Sequence, residues 1–173
     1  MEALTFWKTV TRYTDNLLER LVALLEAHQI TYCVIDSQAV NAYVEPLVSL
    51  DLDLAVSVAQ LDEVEALLAQ HFTVRRFPHS LNISVPGSDL RVQVQTDPRY
   101  GPFPKRAAIR EVLGLALPVA DVADVLQGKI WAAMDEERRG SKRQKDLADI
   151  ARLVEGYPHL RQMLPEAVTR LLL

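Results

Sequence analysis

The sequence predicts a single α/β (α+β) domain, and three features predict it. A continuous apolar run lies near residues 30–35, a segment with period-two alternation at 50–58, and short strand-like segments recur between 72 and 95. Helical spacing separates these segments and takes over from Val122 onward. With 173 residues, 49% of them hydrophobic, the chain can bury one core carrying a small helical appendage.

Residues from about 5 to 28 are expected to form one helix. Leu17, Leu18, Leu21, Leu24 and Leu25 make its apolar stripe, with Asp15, Glu19, Arg20 and Glu26 facing water. Tyr32-Cys33-Val34-Ile35 is an apolar run typical of a buried strand. Asp36-Ser37, both good N-cap residues, break it and open a short helix bearing Ala39, Val40 and Tyr43. After a loop at Glu45-Pro46 comes the strand at 50–58, then a helix near 60–70 with Leu61, Val64, Leu67 and Leu68 on one side. Phe72 to Arg76, Leu81 to Val85 and Leu90 to Gln95 are short strands, parted by turns at Pro78-His79 and Pro86-Gly87-Ser88-Asp89. Thr96 to Lys105, with Pro98, Gly101, Pro102 and Pro104, is expected to be a loop. One more strand, Val112 to Leu117, ends at Pro118. Helices broken near Arg139-Gly140-Ser141 and Gly156-Tyr157-Pro158 complete the pattern.

A net charge of −4 argues against sequence-independent coating of nucleic acid, while leaving room for a local basic patch. Arg138 to Lys145 supplies one, five basic side chains in eight residues: a solvated loop, or a holder of triphosphate or RNA. Cys33 is alone and reads as a small buried hydrophobe. His28, His71, His79 and His159 lack zinc spacing, and there is no P-loop, Gly-x-Gly-x-x-Gly or Gly-x-Ser-x-Gly. Met1 to Thr5 has no basic region ahead of an apolar run, and no apolar stretch approaches about 18 residues. A cytoplasmic location away from membranes is expected.

The most informative segment is Leu50-Asp51-Leu52-Asp53-Leu54-Ala55-Val56-Ser57. As a strand it places Asp51 and Asp53 on one face, their Cα atoms about 6.5–7 Å apart, with leucines behind. Carboxylates this close repel each other unless a cation separates them, and a hard divalent ion is the usual one. A merely acidic, exposed strand face is the alternative.

The order of strand, Asp36-Ser37 turn, short helix and Asp51/Asp53 strand resembles the nucleotidyltransferase superfamily, the polymerase-beta-like fold. Its pattern is a hydrophobic residue, Gly, Gly or Ser, a spacer, then Asp-hydrophobic-Asp/Glu. Ser37 keeps the serine, and Asp36 stands where the family has glycine. Two later blocks, Gly128-Lys129-Ile130-Trp131-Ala132-Ala133 and Lys142 to Leu153, are similar to the AbiEii/AbiGii toxin-like branch. That branch has a Lys-x-x-Ala helix, an Arg-rich turn and a Lys/Arg-Asp-x-x-Asp helix.

The resemblance implies a mixed-sheet nucleotidyltransferase-like core over 1–118, with a C-terminal helical region, 119–173, packed on it. It implies transfer of a nucleotidyl group from a nucleoside triphosphate, bound with Mg2+ or Mn2+, to an RNA or protein acceptor. It also implies a toxin with an antitoxin partner. Asp51 and Asp53 would be catalytic and hold metal, two ions in the family scheme, while Ser37, Lys129 and Asp146 would bind nucleotide. The family's third carboxylate, on a neighbouring strand, falls at Gln93 or Gln95, and neither is acidic. Asp97 is about 7 Å further along. The alternative is therefore a catalytically decayed fold acting as a nucleotide-sensing or protein-binding module. Taken by themselves, Lys142 with Asp146 and Lys145 with Asp149 are i, i+4 pairs on a solvated face, with Leu147, Ile150, Ala151 and Val154 inward.

Overall fold

The chain is described by a computed structural model covering residues 17–86 and 91–172. Residues 5–16 of the expected first helix, together with Gly87, Ser88, Asp89 and Leu90, lie outside the described residues. From Leu17 the elements run α1 (Leu17–Ala27), β1 (Tyr32–Ile35), α2 (Asp36–Tyr43), β2 (Asp51–Val56), α3 (Leu61–His71), β3 (Thr73–Phe77), β4 (Ser80–Ser84) and β5 (Arg91–Gln95). They continue with α4 (Phe103–Arg106), β6 (Ala108–Val112), β7 (Leu115–Val119), α5 (Val122–Met134), α6 (Gly140–Gly156) and α7 (Glu166–Leu171).

The strands form one mixed seven-stranded sheet in the order β3-β4-β5-β2-β1-β7-β6. β2 runs parallel to β5, β1 runs parallel to β7, and the remaining neighbours are antiparallel. The fold class is as the sequence predicts. β1 is buried along its whole length, which explains its unbroken apolar run. β2 instead buries Leu52 and Leu54 between the less buried Asp51 and Asp53. Cys33 is fully buried, and burial pushes its thiol up to about 12, so it packs rather than reacts.

Two expectations change. The strand expected over Val112 to Leu117 is in fact a hairpin turning at Leu113-Gly114, with φ of 51° and 82°. Two consecutive positive φ values define the tight turn that matches strand twist, and Gly114 supplies the freedom. The second arm runs through Pro118 to Val119, opposite Ile109 and Ala108 of β6, and meets β1 at Val119. The expected loop at 96–105 contains a 3₁₀ turn at Pro98–Tyr100 and the short helix α4, both with proline at an early position. Asp97 caps the first, accepting from the Arg99 N–H at 2.9 Å. At the start of α5, Asp121 accepts from the Ala123 N–H at 3.0 Å.

A continuous apolar core extends from Leu17 in α1 to Val168 in α7. The boundary expected between 118 and 119 falls inside β7. Among the described residues, no helix is long and apolar enough to cross a membrane.

Candidate functional site

Strand register assembles the polar row. Parallel pairing sets Asp51 beside Arg91, Asp53 beside Gln93 and Ala55 beside Gln95. β4 extends the row, with Asn82 beside Gln93 and Ser80 beside Gln95. On the other flank, Ile35 is the partner of Asp53, so the chain turning from β1 into α2 brings Asp36 to the same place. Asp36 has a φ of 59°, in the left-handed region. A glycine at this position adopts that conformation freely, and aspartate is among the few other residues that tolerate it. The departure from the family pattern thus keeps the backbone and adds a carboxylate.

That carboxylate meets Lys129, which is 2% exposed in the middle of α5. The ammonium forms an ion pair with Asp36, lies 2.9 Å from Asp149 and 3.3 Å from Asp146, and donates to Ser37 Oγ at 3.4 Å. Asp146 is also held by Arg138 at 2.9 and 3.1 Å, and Asp149 by Arg152 at 2.8 Å. Asp146 and Asp149 therefore lie on the packed face of α6. They are not paired with Lys142 and Lys145 on a solvated one, as helical spacing alone suggests. Burial would lower the Lys129 ammonium, but the carboxylates of Asp36, Asp149 and Asp146 raise it well above the ordinary lysine range.

Asp53 is the member of the acidic pair that faces the cleft. Burial first, and then the charges of Asp36 and Asp51, raise its carboxyl well above the usual range. Burial would raise Asp36 as well, but Lys129, Arg138 and a hydrogen bond with Asp53 carry it below that range. The two carboxyls are coupled, and their environments push them in opposite directions, Asp53 up and Asp36 down. Asp51 sits further out. Arg91 Nε lies 2.7 Å from its Oδ1, off the line of a hydrogen bond, and this buried oxygen has no hydrogen-bond donor among the described residues.

The cleft itself is a cavity of about 110 Å³ whose lining includes Asp36, Asp53, Gln93, Gln95, Tyr100 and Arg138. Gly128 lets α5 close over it: a Cβ there would stand 3.2 Å from the Tyr100 ring. Phe103 and Trp131 stack with centroids 5.9 Å apart and tie α4 to α5. Of the residues singled out from sequence, Asp53, Gln93 and Gln95 line the cavity, while Lys129 and Asp146, with Ser37 beside them, form the polar layer behind it. Lys129, expected to reach phosphate, has its ammonium enclosed by carboxylates. Sequence reasoning missed Asp36 as a side chain of the site, Arg138 as a lining cation and Asp149 as a buried carboxylate. The run of five basic side chains in the eight residues from Arg138 to Lys145 was the signal for Arg138.

Among the described residues, no group of three or more His, Cys, Asp or Glu side chains is arranged to hold a metal ion. The donor set nevertheless suits one Mg2+, which takes one or two carboxylates and completes its shell with water and phosphate. The Asp51 and Asp53 carboxyls, on the same face of β2, would be those donors. Of the two positions expected for a third carboxylate, Gln93 stands directly beside Asp53, and Gln95 accepts from the Asp97 N–H at 3.1 Å.

The fold is that of nucleotidyltransferases. The antibiotic-resistance factor ANT(2'')-Ia superposes with a TM-score of 0.60 at 12% identity, covering 85% of this chain and 88% of that one. The lincosamide antibiotic adenylyltransferase LnuA superposes at 0.51 and 10% identity, covering 81% and 98%. An antigenic nucleotidyltransferase-like protein from Paracoccidioides brasiliensis gives 0.51 at 14% identity, covering 89% and 76%. No curated protein sequence matches the chain. The profile of the nucleotidyl transferase AbiEii toxin family, type IV toxin–antitoxin systems, matches residues 48–172, and the chain belongs to that family. The matched span contains Asp51, Asp53, Lys129 and Asp146 but begins after Asp36 and Ser37.

Proposed function

We propose that the protein transfers a nucleotidyl group from a nucleoside triphosphate to a hydroxyl of an RNA or protein acceptor, as the toxin of a toxin–antitoxin pair. The observation that carries this reading is the Asp51–Asp53 pair, Asp53 lining the cleft and Asp51 next to it on the same strand face with a buried oxygen that has no donor among the described residues, in a member of a nucleotidyl transferase family. Asp51 and Asp53 would hold Mg2+ or Mn2+. When bound, such an ion supplies positive charge to the non-bridging phosphate oxygens. Arg138, at the rim, supports phosphate binding. Lys129 and Asp146 act from behind, fixing Asp36 and Ser37 rather than touching nucleotide. The acceptor oxygen forms its bond to the α-phosphorus as the bond to pyrophosphate breaks. The cavity, about 110 Å³, is smaller than the roughly 300–1,000 Å³ of typical small-molecule sites, so a triphosphate would lie across its mouth.

Thermal unfolding tests the reading. Mn2+ with a nucleoside triphosphate at about 100 times Kd should stabilise by about 2.7 kcal/mol, roughly 5–10 °C for a chain this long. Asp51→Asn with Asp53→Asn should abolish the gain. Equal shifts in wild type and double variant would sink the metal assignment.

Gln93 favours a second reading, a nucleotide-sensing module that has lost turnover. A neutral amide cannot take the hydroxyl proton, a contribution typically worth about 10²–10⁴-fold. Gln93→Asp should raise transfer from labelled triphosphate. Tight nucleotide binding with no turnover in either form would leave the sensor.

A further inference from the structure

We propose that Arg91 is a built-in cation of this site, doing with a guanidinium what a second divalent ion does in the two-metal family scheme. The inference rests on the reading of Asp51 and Asp53 as the metal pair. Its own basis is separate. β5 and β2 are in parallel register, and the residue set directly beside Asp51 is Arg91, not an acid. Its Nε approaches Asp51 Oδ1 to 2.7 Å, yet among the described residues that oxygen lacks a hydrogen-bond donor. The contact is therefore one of charge, and among the described residues the guanidinium N–H groups donate no hydrogen bond, so they can serve another acceptor. The side chain is 67% exposed and that of Asp51 43%, so an exposed pair of this kind adds little to folding.

Charge counting points the same way. In the two-metal scheme three carboxylates face two divalent ions. Here β5 contributes Arg91, Gln93 and Gln95 to that face, leaving two carboxylates and one permanent cation. A second divalent ion would stand beside this permanent cation and find one strand carboxylate fewer than the family scheme supplies. A guanidinium matches phosphate with paired donors and never deprotonates, so it can neutralise Asp51 in the resting state and move to the triphosphate on binding. Metal and arginine thus compete for Asp51 before the nucleotide arrives and cooperate afterwards.

Mn2+ titration of the full chain, followed by the EPR signal of free Mn2+, tests this alone and with a non-hydrolysable nucleoside triphosphate. Wild type should bind one ion per chain with the nucleotide present. Arg91→Gln should bind Mn2+ alone about tenfold more tightly, because its competitor is gone, and bind the nucleotide about tenfold more weakly. Arg91→Lys, keeping the charge, should stay within a few-fold of wild type for Mn2+. A purely structural Arg91 would move both affinities together or neither, and either result overturns the proposal. Two ions in wild type overturn it alone, and need no variant to fold. No Mn2+ binding with or without nucleotide overturns it together with the Asp51–Asp53 reading, which separates the two failures.

Discussion

Asp36 carries two demands on one residue: a backbone at φ 59° and a carboxylate that binds a buried ammonium. The two separate by substitution. Asp36→Asn keeps a side chain that tolerates the left-handed conformation and loses only the charge. Asp36→Ala loses the charge and adds strain, which for ordinary L-residues is about 1–2 kcal/mol. In urea unfolding, the alanine variant should be less stable than the asparagine variant by about 1 kcal/mol; equal losses would mean the positive φ is not held in the native state. The break in the apolar run at Asp36-Ser37 was legible in the sequence. The function of the Asp36 side chain was not, because its partner Lys129 is remote in sequence and brought near only by the sheet and α5.

At the scale of elements, α2, α5 and α6 meet around one buried lysine. Helical periodicity correctly predicts α6 and its apolar side but assigns Asp146 and Asp149 the wrong partners. Spacing of i, i+4 describes what a helix can do alone; here a cation buried on the facing helix outbids solvent-exposed Lys142 and Lys145. Lys129→Met should therefore destabilise strongly, since removing one side of a buried charge cluster leaves the other uncompensated. About 3 kcal/mol is expected, the low end of the range, because Asp146 keeps Arg138 and Asp149 keeps Arg152. A loss below about 1 kcal/mol in chemical denaturation would show that the cluster is hydrated rather than buried. The turn at Gly101 is tight for a different reason. A Cβ there would come within 2.4 Å of Val58 Cγ2, so Gly101→Ala should cost about 1–3 kcal/mol, and Val58→Ala in the same chain should recover part of it.

Over the whole molecule, the sheet and the C-terminal helices share one interior. Leu126 and Ile130 of α5, Ile150 and Leu153 of α6 and Val168 of α7 belong to the same buried cluster as Val34, Leu54 and Val94 of the sheet. Tyr43 of α2 donates to the Ala120 carbonyl at 2.7 Å, and Tyr157, after α6, donates to the Tyr43 carbonyl at 3.3 Å. The change from strands to helices near residue 119 suggested a core and an appended helical region; composition and periodicity register such a change but not which surfaces meet. Contacts of this density predict a single cooperative transition. Unfolding can be followed by far-ultraviolet circular dichroism, which reports the whole backbone, and by fluorescence of Trp131 in α5, with Trp7 replaced by Phe so that Trp131 alone emits. The two midpoints should coincide, and residues 1–118 expressed alone should fail to fold, since the cut falls within β7 and exposes the apolar face that α5 covers. Separated midpoints, or a cooperatively folding 1–118 fragment, would establish instead that the helical region is a unit of its own and that the charged layer around Lys129 forms only when it docks.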